Sequence, residues 1–367
     1  MKHPPPIAHG GNLHEAARRY GIPHDAWLDL STGINPVGYP VPPVPADAWR
    51  RLPDDGDGLA ARAASYYGAP DAAHVLPVAG SQAAIRALPA LLPRGVAGVA
   101  PLAYGEYAPA FARHGHAIDT LDVSADTLPA TLTHAIVGSP NNPTAERIAP
   151  ERLLGWHAQL TARGGTLIVD EAFADAFAPS HTAHTSHTSH TSLAAHTHRA
   201  GLVVLRSVGK FFGLAGIRAG FTLAHPEQIA ALHDALGAWT VAGPARHAVE
   251  AAFADVAWQA TTRARLTADG ARLAALLRSH GFAVRATPLF CWTDDPRAAA
   301  LHAALAERGI WTRLFMGNLA GNFMGNFVDD SARPSSVRVG LPGAEPEWQR
   351  LSDALAQCVP ALQGDAR

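Results

Sequence analysis

Lysine is nearly absent from this chain. Of 29 cationic side chains in 367 residues only Lys2 and Lys210 are lysines, and the remainder are arginines. Cysteine is as scarce: Cys291 and Cys358 stand far apart with no CxxC spacing, which excludes a disulfide framework and a cysteine zinc site and fits a reducing cytoplasm. No run of about 18 uncharged apolar residues occurs, so no membrane-spanning helix is expected. The opening "MKHPPPIAHGGNLHEAARRYG" lacks the apolar stretch of a signal peptide. Excess charge of one sign is missing too. A formal charge of -2 and a pI near 6.9 leave no electrostatic footprint for nucleic acid or a membrane surface.

What is present is ample core material. Hydrophobic residues make up 48% of the chain and charged residues 16%, the balance of a folded globular protein. The length allows two domains, or one with an appended lobe. A short helical pattern (Leu13 to Tyr20) and a proline-rich run, "LSTGINPVGYPVPPVP", read as an N-terminal arm over residues 1–45. Residues 46–245 alternate short β-branched runs with amphipathic helices. The runs at Val75–Ala79, Val96–Ala100, Ala117–Val123, Ala135–Val137, "TLIVD", "GLVVLRS" and "GIRAGFTLA" predict an α/β domain with a mostly parallel sheet and crossover helices. Pro244 to His280 reads as one long helix. "FAVRATPLFCWTD", "IWTRLF" and "SVRVGL" complete a smaller α+β lobe over residues 246–367, on which the arm is expected to pack.

Two segments stand out by composition. In "SHTAHTSHTSHTSLAAHTH" (Ser180 to His198) four histidines recur three residues apart, without carboxylate or cysteine co-ligands. It reads as an expanded surface loop inserted in the larger domain rather than a metal site, and no metal is expected. "MGNLAGNFMGNF" (Met316 to Phe327) reads as a glycine- and asparagine-rich loop.

The remaining lysine sits in "SVGKFFGLAGIRAG", among apolar residues and glycines. Arginine stays protonated, whereas a desolvated lysine can lose its proton and condense with a carbonyl. Lys210 is therefore a Schiff-base candidate, against the alternative of a lysine that merely snorkels from a loop. "LIVDEAF" ends a buried strand in Asp170, a carboxylate that either balances a cation in a crevice at the strand ends or caps the next segment. "GSPNNPT" offers the amide of Asn142 after another strand. "VAGSQ" places Gly80, Ser81 and Gln82 at a helix start, where N–H groups favour a phosphate. Ser207 and Arg218 flank the lysine and suit the same anion. Tyr104, in "PLAYGEY", suits stacking on a flat ring.

Taken together, Gly80–Gln82, Tyr104, "PNNPT", "DEAF", "SVGK" with Arg218, and Arg338 in "SSVRVGL" resemble the fold-type I pyridoxal-phosphate enzymes, the aspartate aminotransferase superfamily. The resemblance spans nearly the whole chain. It implies pyridoxal 5'-phosphate as cofactor, carried by Lys210, with Asp170 at the ring nitrogen, Asn142 at the ring oxygen and Tyr104 on the ring face. Ser81, Gln82, Ser207 and Arg218 would hold the cofactor phosphate and Arg338 a substrate carboxylate. A cytoplasmic homodimer is implied as well.

Within that superfamily, "HGGNLHEAARRYGIP" and "LDLSTGINPVGYP" resemble the threonine-phosphate decarboxylases of cobalamin biosynthesis. Phe173 stands where the aminotransferases usually carry a tyrosine that donates to the ring oxygen. Leu52 stands where many relatives have a tyrosine reaching the partner subunit's cofactor phosphate, and puts that contact in doubt. The resemblance implies decarboxylation of a phosphorylated amino acid, whose second anion would need its own site. His9 with the backbone of Gly10 and Gly11, Asn35, and an arginine such as Arg313 or Arg333 are the candidates. A histidinol-phosphate-type aminotransferase is the alternative enzyme; a non-catalytic relative that handles metal through the histidine tract is the alternative of another class.

Overall fold

Short aliphatic runs that are hydrophobic at every position, rather than at alternate ones, belong in a sheet covered on both faces. The structure, a computed structural model, describes residues 9–179, 189–190, 192–316 and 335–364. Most of the histidine tract, the loop from residue 317 onward and Arg333 thus lie outside the described residues. The chain divides into two units, each taken here by itself. The larger comprises Gly38–Asn142 and Glu146–Arg263; the smaller comprises the described parts of Met1–Val37, Pro143–Ala145 and Ala264–Arg367.

The larger unit is built on seven strands: β1 (Val75–Val78), β2 (Val96–Val99), β3 (Ala117–Thr120), β4 (His134–Gly138), β5 (Thr166–Asp170), β6 (Leu202–Ser207) and β7 (Gly220–Ala224). Their order is β1-β7-β6-β5-β4-β2-β3. Every adjacent pair is parallel except those made by β7, which runs antiparallel to both β1 and β6. Parallel neighbours need a crossover, and the helices Tyr107–Arg113 and Pro150–Thr161 supply those from β2 to β3 and from β4 to β5. Strands β1, β4, β5 and β7 are buried along their whole length, whereas β3, at the sheet edge, is largely exposed. Val78, Ile85, Phe111, Ile136, Ile168, Val203 and Leu205 are among the residues of the core between sheet and helices.

Two features depart from the sequence expectation. The helix expected over Pro244–His280 is two helices, Gly243–Ala254 and Val256–Ser279. Asp255 interrupts it: its Oδ1 accepts the Trp258 N–H at 2.9 Å, while Gln259 Nε2 donates to the carbonyls of Ala252 (2.8 Å) and Phe253 (3.1 Å). Two side chains thus satisfy the adjoining ends, Asp255 the start of the second helix and Gln259 the end of the first, and stabilise the break. The division between units also falls near residues 37 and 263, not 45 and 245. The Gly243–Ala254 helix belongs to the larger unit because the buried Arg246 grips Asp57 with two 2.6 Å hydrogen bonds, from Nε and Nη2.

In the smaller unit, β8 (Arg285–Ala286), β9 (Phe290–Thr293), β10 (Arg313–Phe315) and β11 (Ser336–Gly340) form an antiparallel sheet in the order β8-β9-β11-β10. Leu28–Asp29, from the arm, pairs in parallel with Ile310–Trp311. Tyr20, Trp27 and Trp311 meet edge to face, with centroids 5.8–6.2 Å apart, so aromatic packing reinforces this short ladder.

Candidate active site

Chain ends of β1, β4, β5 and β6 deliver their following loops to one place in the larger unit. The cavity there, of about 140 Å³, is lined among others by Gly80, Ser81, Gln82, Tyr104, Asn142, Asp170, Phe173, Ser207, Lys210 and Arg218. All ten residues expected around a cofactor therefore converge. Carboxyl ends of parallel strands are where an open α/β sheet leaves a crevice, because the loops on either side diverge.

Gly80 opens the site from below. It precedes the helix Ser81–Ala87 with φ 72°, and a Cβ built on it would stand 2.8 Å from Arg218 Nη2. A side chain at residue 80 is thus excluded both by backbone conformation and by the guanidinium lying over the helix start. Arg218 itself has φ 52°, a left-handed conformation uncommon for a residue with a Cβ. Its Nη1 donates to the Ala215 carbonyl at 3.1 Å, which holds the side chain there. Gly220 completes the fit, since a Cβ on it would stand 2.7 Å from Ser81 N. Helix N–H groups, two hydroxyls and a guanidinium gathered around a bare glycine form a cradle for a phosphate.

Asp170 is the last residue of β5 and is buried. Its Oδ2 accepts the Tyr107 hydroxyl at 2.9 Å, and its Oδ1 accepts the Ala172 N–H at 3.0 Å. Burial pushes its pKa above the ordinary carboxylate value, while the two donors and the nearby Lys210 ammonium oppose that shift. A carboxylate so placed is stabilised by a further cation in the cavity. Tyr107 was not foreseen from the sequence; its position three residues after Tyr104 in "AYGEY" was the available signal.

Lys210 follows β6 through a tight turn in which a Cβ on Gly209 would stand 2.9 Å from the Ala215 Cα. Its Nζ lies 5.5 Å from the centroid of the Phe173 ring. Phe211 and Phe212 then anchor the turn against Trp258, with centroids at 5.6 and 5.7 Å, and the Tyr39 N–H donates to the Phe212 carbonyl at 2.8 Å. The lysine is carried by a rigid turn rather than a loose loop. Beneath it lies a second feature that sequence reading missed. Arg206, buried over the Tyr67 ring, donates to Glu171 Oε2 at 2.5 Å and pairs with Asp175.

These residues fit the cofactor that the resemblance implies. The Gly80 cradle suits its phosphate and the buried Asp170 carboxylate its ring nitrogen. In addition, Gln82 Oε1 is buried without a hydrogen-bond partner among the described residues, as a polar atom facing a ligand site would be.

Arg338, Asn35 and His9 do not line this cavity and belong to the smaller unit. Arg338 is buried in β11, directly opposite Arg313 of β10, and donates to the Ser31 carbonyl. Burial and the Arg313 charge push its pKa down to about 9. The buried Asn35 accepts from Arg265 Nη2 at 2.7 Å and from the Val37 N–H at 3.0 Å, which fixes the turn. His9 is exposed.

The family model for aminotransferase class I and II matches residues 56–346. A threonine-phosphate decarboxylase of Pseudomonas aeruginosa is 46% identical over 351 residues, which cover 95% of this chain and 97% of that protein. One from a Sinorhizobium species is 41% identical, covering 96% of this chain and 98% of the relative. Among solved structures, the histidinol-phosphate aminotransferase of Sinorhizobium meliloti in complex with pyridoxal-5'-phosphate superposes with a TM-score of 0.74 at 16% identity, covering 97% of this chain and 96% of that one. At that identity the likeness bears on fold alone.

Proposed function

The chain belongs to the aminotransferase class I and II family and, within it, to the threonine-phosphate decarboxylases, and from that premise we propose that it converts L-threonine O-3-phosphate to (R)-1-amino-2-propanol phosphate and CO₂. Pyridoxal 5'-phosphate is the cofactor and cobalamin synthesis the use of the product. The observation that carries this reading is the convergence of Lys210, Asp170 and the Gly80 cradle on one cavity, in a chain nearly half identical to named decarboxylases.

Each residue has a part that follows from its chemistry. Lys210 Nζ would hold the cofactor, as the amine that lines the Gly80 cradle's cavity. Ser81, Gln82, Ser207 and Arg218 bind the cofactor phosphate, Asn142 its ring oxygen, and Tyr104 its face, with Gly80 and Phe173 shaping the pocket. Asp170 would present its buried carboxylate to the ring nitrogen and would favour the protonated form there. When bound, the cofactor supplies an electron sink for the pair left on the substrate Cα as its carboxylate departs as CO₂. Lys210 then delivers a proton from Nζ to that Cα, which balances the lost CO₂ with one hydrogen.

Arg338 binds the substrate carboxylate. Supporting this is its burial beside Arg313: two adjacent cations favour anions, and Arg313 suits the phosphate of the same substrate. Asn35 and His9 are assigned to substrate binding on the resemblance alone. We place the enzyme in the cytoplasm. Among the described residues no helix is long and apolar enough to cross a membrane. We further propose a homodimer, supported by exposed Trp49, Leu52 and Trp239 in the larger unit (68%, 67% and 56% accessible).

The test is direct. Purified protein loaded with pyridoxal phosphate is incubated with threonine phosphate, and CO₂ and aminopropanol phosphate are measured. Stoichiometric release of both is expected. Amino transfer to 2-oxoglutarate without CO₂ would instead assign the chain to transamination.

A further inference from the structure

Asp170 is held by two donors from different parts of the larger unit. The Ala172 N–H comes from its own strand end, at 3.0 Å from Oδ1. The Tyr107 hydroxyl comes from the first residue of the crossover helix Tyr107–Arg113, at 2.9 Å from Oδ2. The terminal torsion of an aspartate is soft and broad by itself. Two donors, one on each oxygen, fix it.

Tyr107 is placed to do this reproducibly. It is 2% exposed and packs in the core with Phe111, Ile136 and Ile168. Its own N–H donates to the Tyr104 carbonyl at 3.1 Å, and the two rings meet edge to face with centroids 5.6 Å apart. The turn that presents Tyr104 to the cavity therefore also sets Tyr107 against Asp170. Burial and the Asp170 charge raise the Tyr107 pKa well above the ordinary phenol value, so the phenol keeps its proton and donates it to the carboxylate.

We propose that Tyr107 is a positioning residue for the cofactor's ring nitrogen: its hydroxyl locks the Asp170 carboxylate in the orientation, and in the anionic form, that this nitrogen requires. The inference rests on the pyridoxal-phosphate reading above. It concerns a residue that touches Asp170 rather than the reacting atoms. A tyrosine buried merely for packing would affect every ligand of the cavity alike; a tyrosine acting through Asp170 affects only ligands with a ring nitrogen.

The experiment titrates cofactor-free native protein, Tyr107→Phe and Tyr107→His with pyridoxal phosphate and with its 1-deaza analogue, in which carbon replaces the ring nitrogen. A hydrogen bond to a charged group has a worth that predicts about tenfold weaker binding of pyridoxal phosphate to Tyr107→Phe. Binding of the analogue should be unchanged. Tyr107→His retains an N–H donor and should recover most of the loss. In an Asp170→Asn background, Tyr107→Phe should have no further effect. Equal weakening for both ligands, no weakening at all, or full additivity with Asp170→Asn would each overturn the proposal while leaving the functional reading intact. Native protein that binds neither ligand would overturn both. Should Tyr107→Phe not fold, Tyr107→Leu, which likewise lacks a donor, is compared with native protein on the two ligands, a loss confined to pyridoxal phosphate supporting the proposal and an equal loss or none overturning it.

Discussion

The Lys210 amine faces the ring of Phe173, with Nζ 5.5 Å from its centroid, and both line the same cavity. Phe173 is buried and offers no hydroxyl, where an aminotransferase of this superfamily usually presents one. An apolar face beside the amine favours loss of a charged carboxylate as neutral CO₂, because the product needs no solvation there. Phe173→Tyr adds a buried hydroxyl at that place. We expect decarboxylation to fall about tenfold, by the lower range of a misplaced polar group, and pyridoxamine phosphate to accumulate. Parallel measurement of CO₂ and cofactor form checks this, and an unchanged ratio between them would count against a role for Phe173 in choosing the bond that breaks.

If Lys210 carries the cofactor as proposed, arginine cannot substitute for it, and the prediction follows from that chemistry. Both Lys210→Ala and Lys210→Arg should lose the visible absorbance of lysine-bound cofactor. Decarboxylation should drop by about 10²–10⁴-fold, the usual contribution of a positioned proton donor. Lys210→Arg keeps the charge, so it separates the amine's chemistry from its electrostatics. Retained absorbance in either variant would remove Lys210 from the proposed role.

Much of this site was legible in the sequence, because each piece obeys a local rule: a glycine before a helix start, a carboxylate at a strand end, a lone lysine in a glycine-rich turn. The parallel strands were legible as short runs hydrophobic at every position. Direction was not, since periodicity is the same for a strand read either way, and the antiparallel β7 left no mark. Tyr107 and Arg206 were missed for a different reason. Arg206 and Glu171 are 35 residues apart and meet only because β5 and β6 pair with Asp170 opposite Leu205. The break at Asp255 was hidden in an Ala-, Arg- and Leu-rich stretch whose helix propensity runs high on both sides.

That pairing of β5 with β6 leads to the third prediction. Arg206 is 5% exposed and neutralises two buried carboxylates, Glu171 and Asp175, one residue and five residues beyond Asp170. Glu171 also accepts from Ser192 Oγ at 2.5 Å and from the Leu193 N–H at 2.9 Å, so it ties down the chain ahead of β6. Removing one partner of a buried ion network leaves uncompensated charge, at a cost of about 3–5 kcal/mol. Arg206→Met should lose that much in urea unfolding. Arg206→Lys should lose less, because it keeps the positive charge, but should still lose some, because an ammonium cannot span both acids as the planar fork does. A loss under about 1 kcal/mol for Arg206→Met, the range of an exposed pair, would show that the network does not hold the strand ends.

The last prediction concerns acid. In the smaller unit His302 is buried, with Nδ1 2.8 Å from Thr312 Oγ1 and its ring 4.8 Å from that of Trp311. Burial first, and then the Arg19 and Arg313 charges, push its pKa down to about 4. The folded form keeps this ring neutral, whereas the unfolded chain protonates it near pH 6.5. Its contribution is therefore fully present above pH 6.5 and is lost as pH falls toward 4, by up to about 1.4 kcal/mol per pH unit and about 3 kcal/mol in all. His134 in the larger unit, lowered chiefly by burial, acts in the same direction. Urea unfolding at pH 7, 6 and 5 should show native protein weakening steadily, while His302→Gln, which does not titrate, weakens less over the same interval. Parallel curves for the two proteins would mean that His302 titrates alike in the folded and unfolded chain and that burial does not hold it neutral.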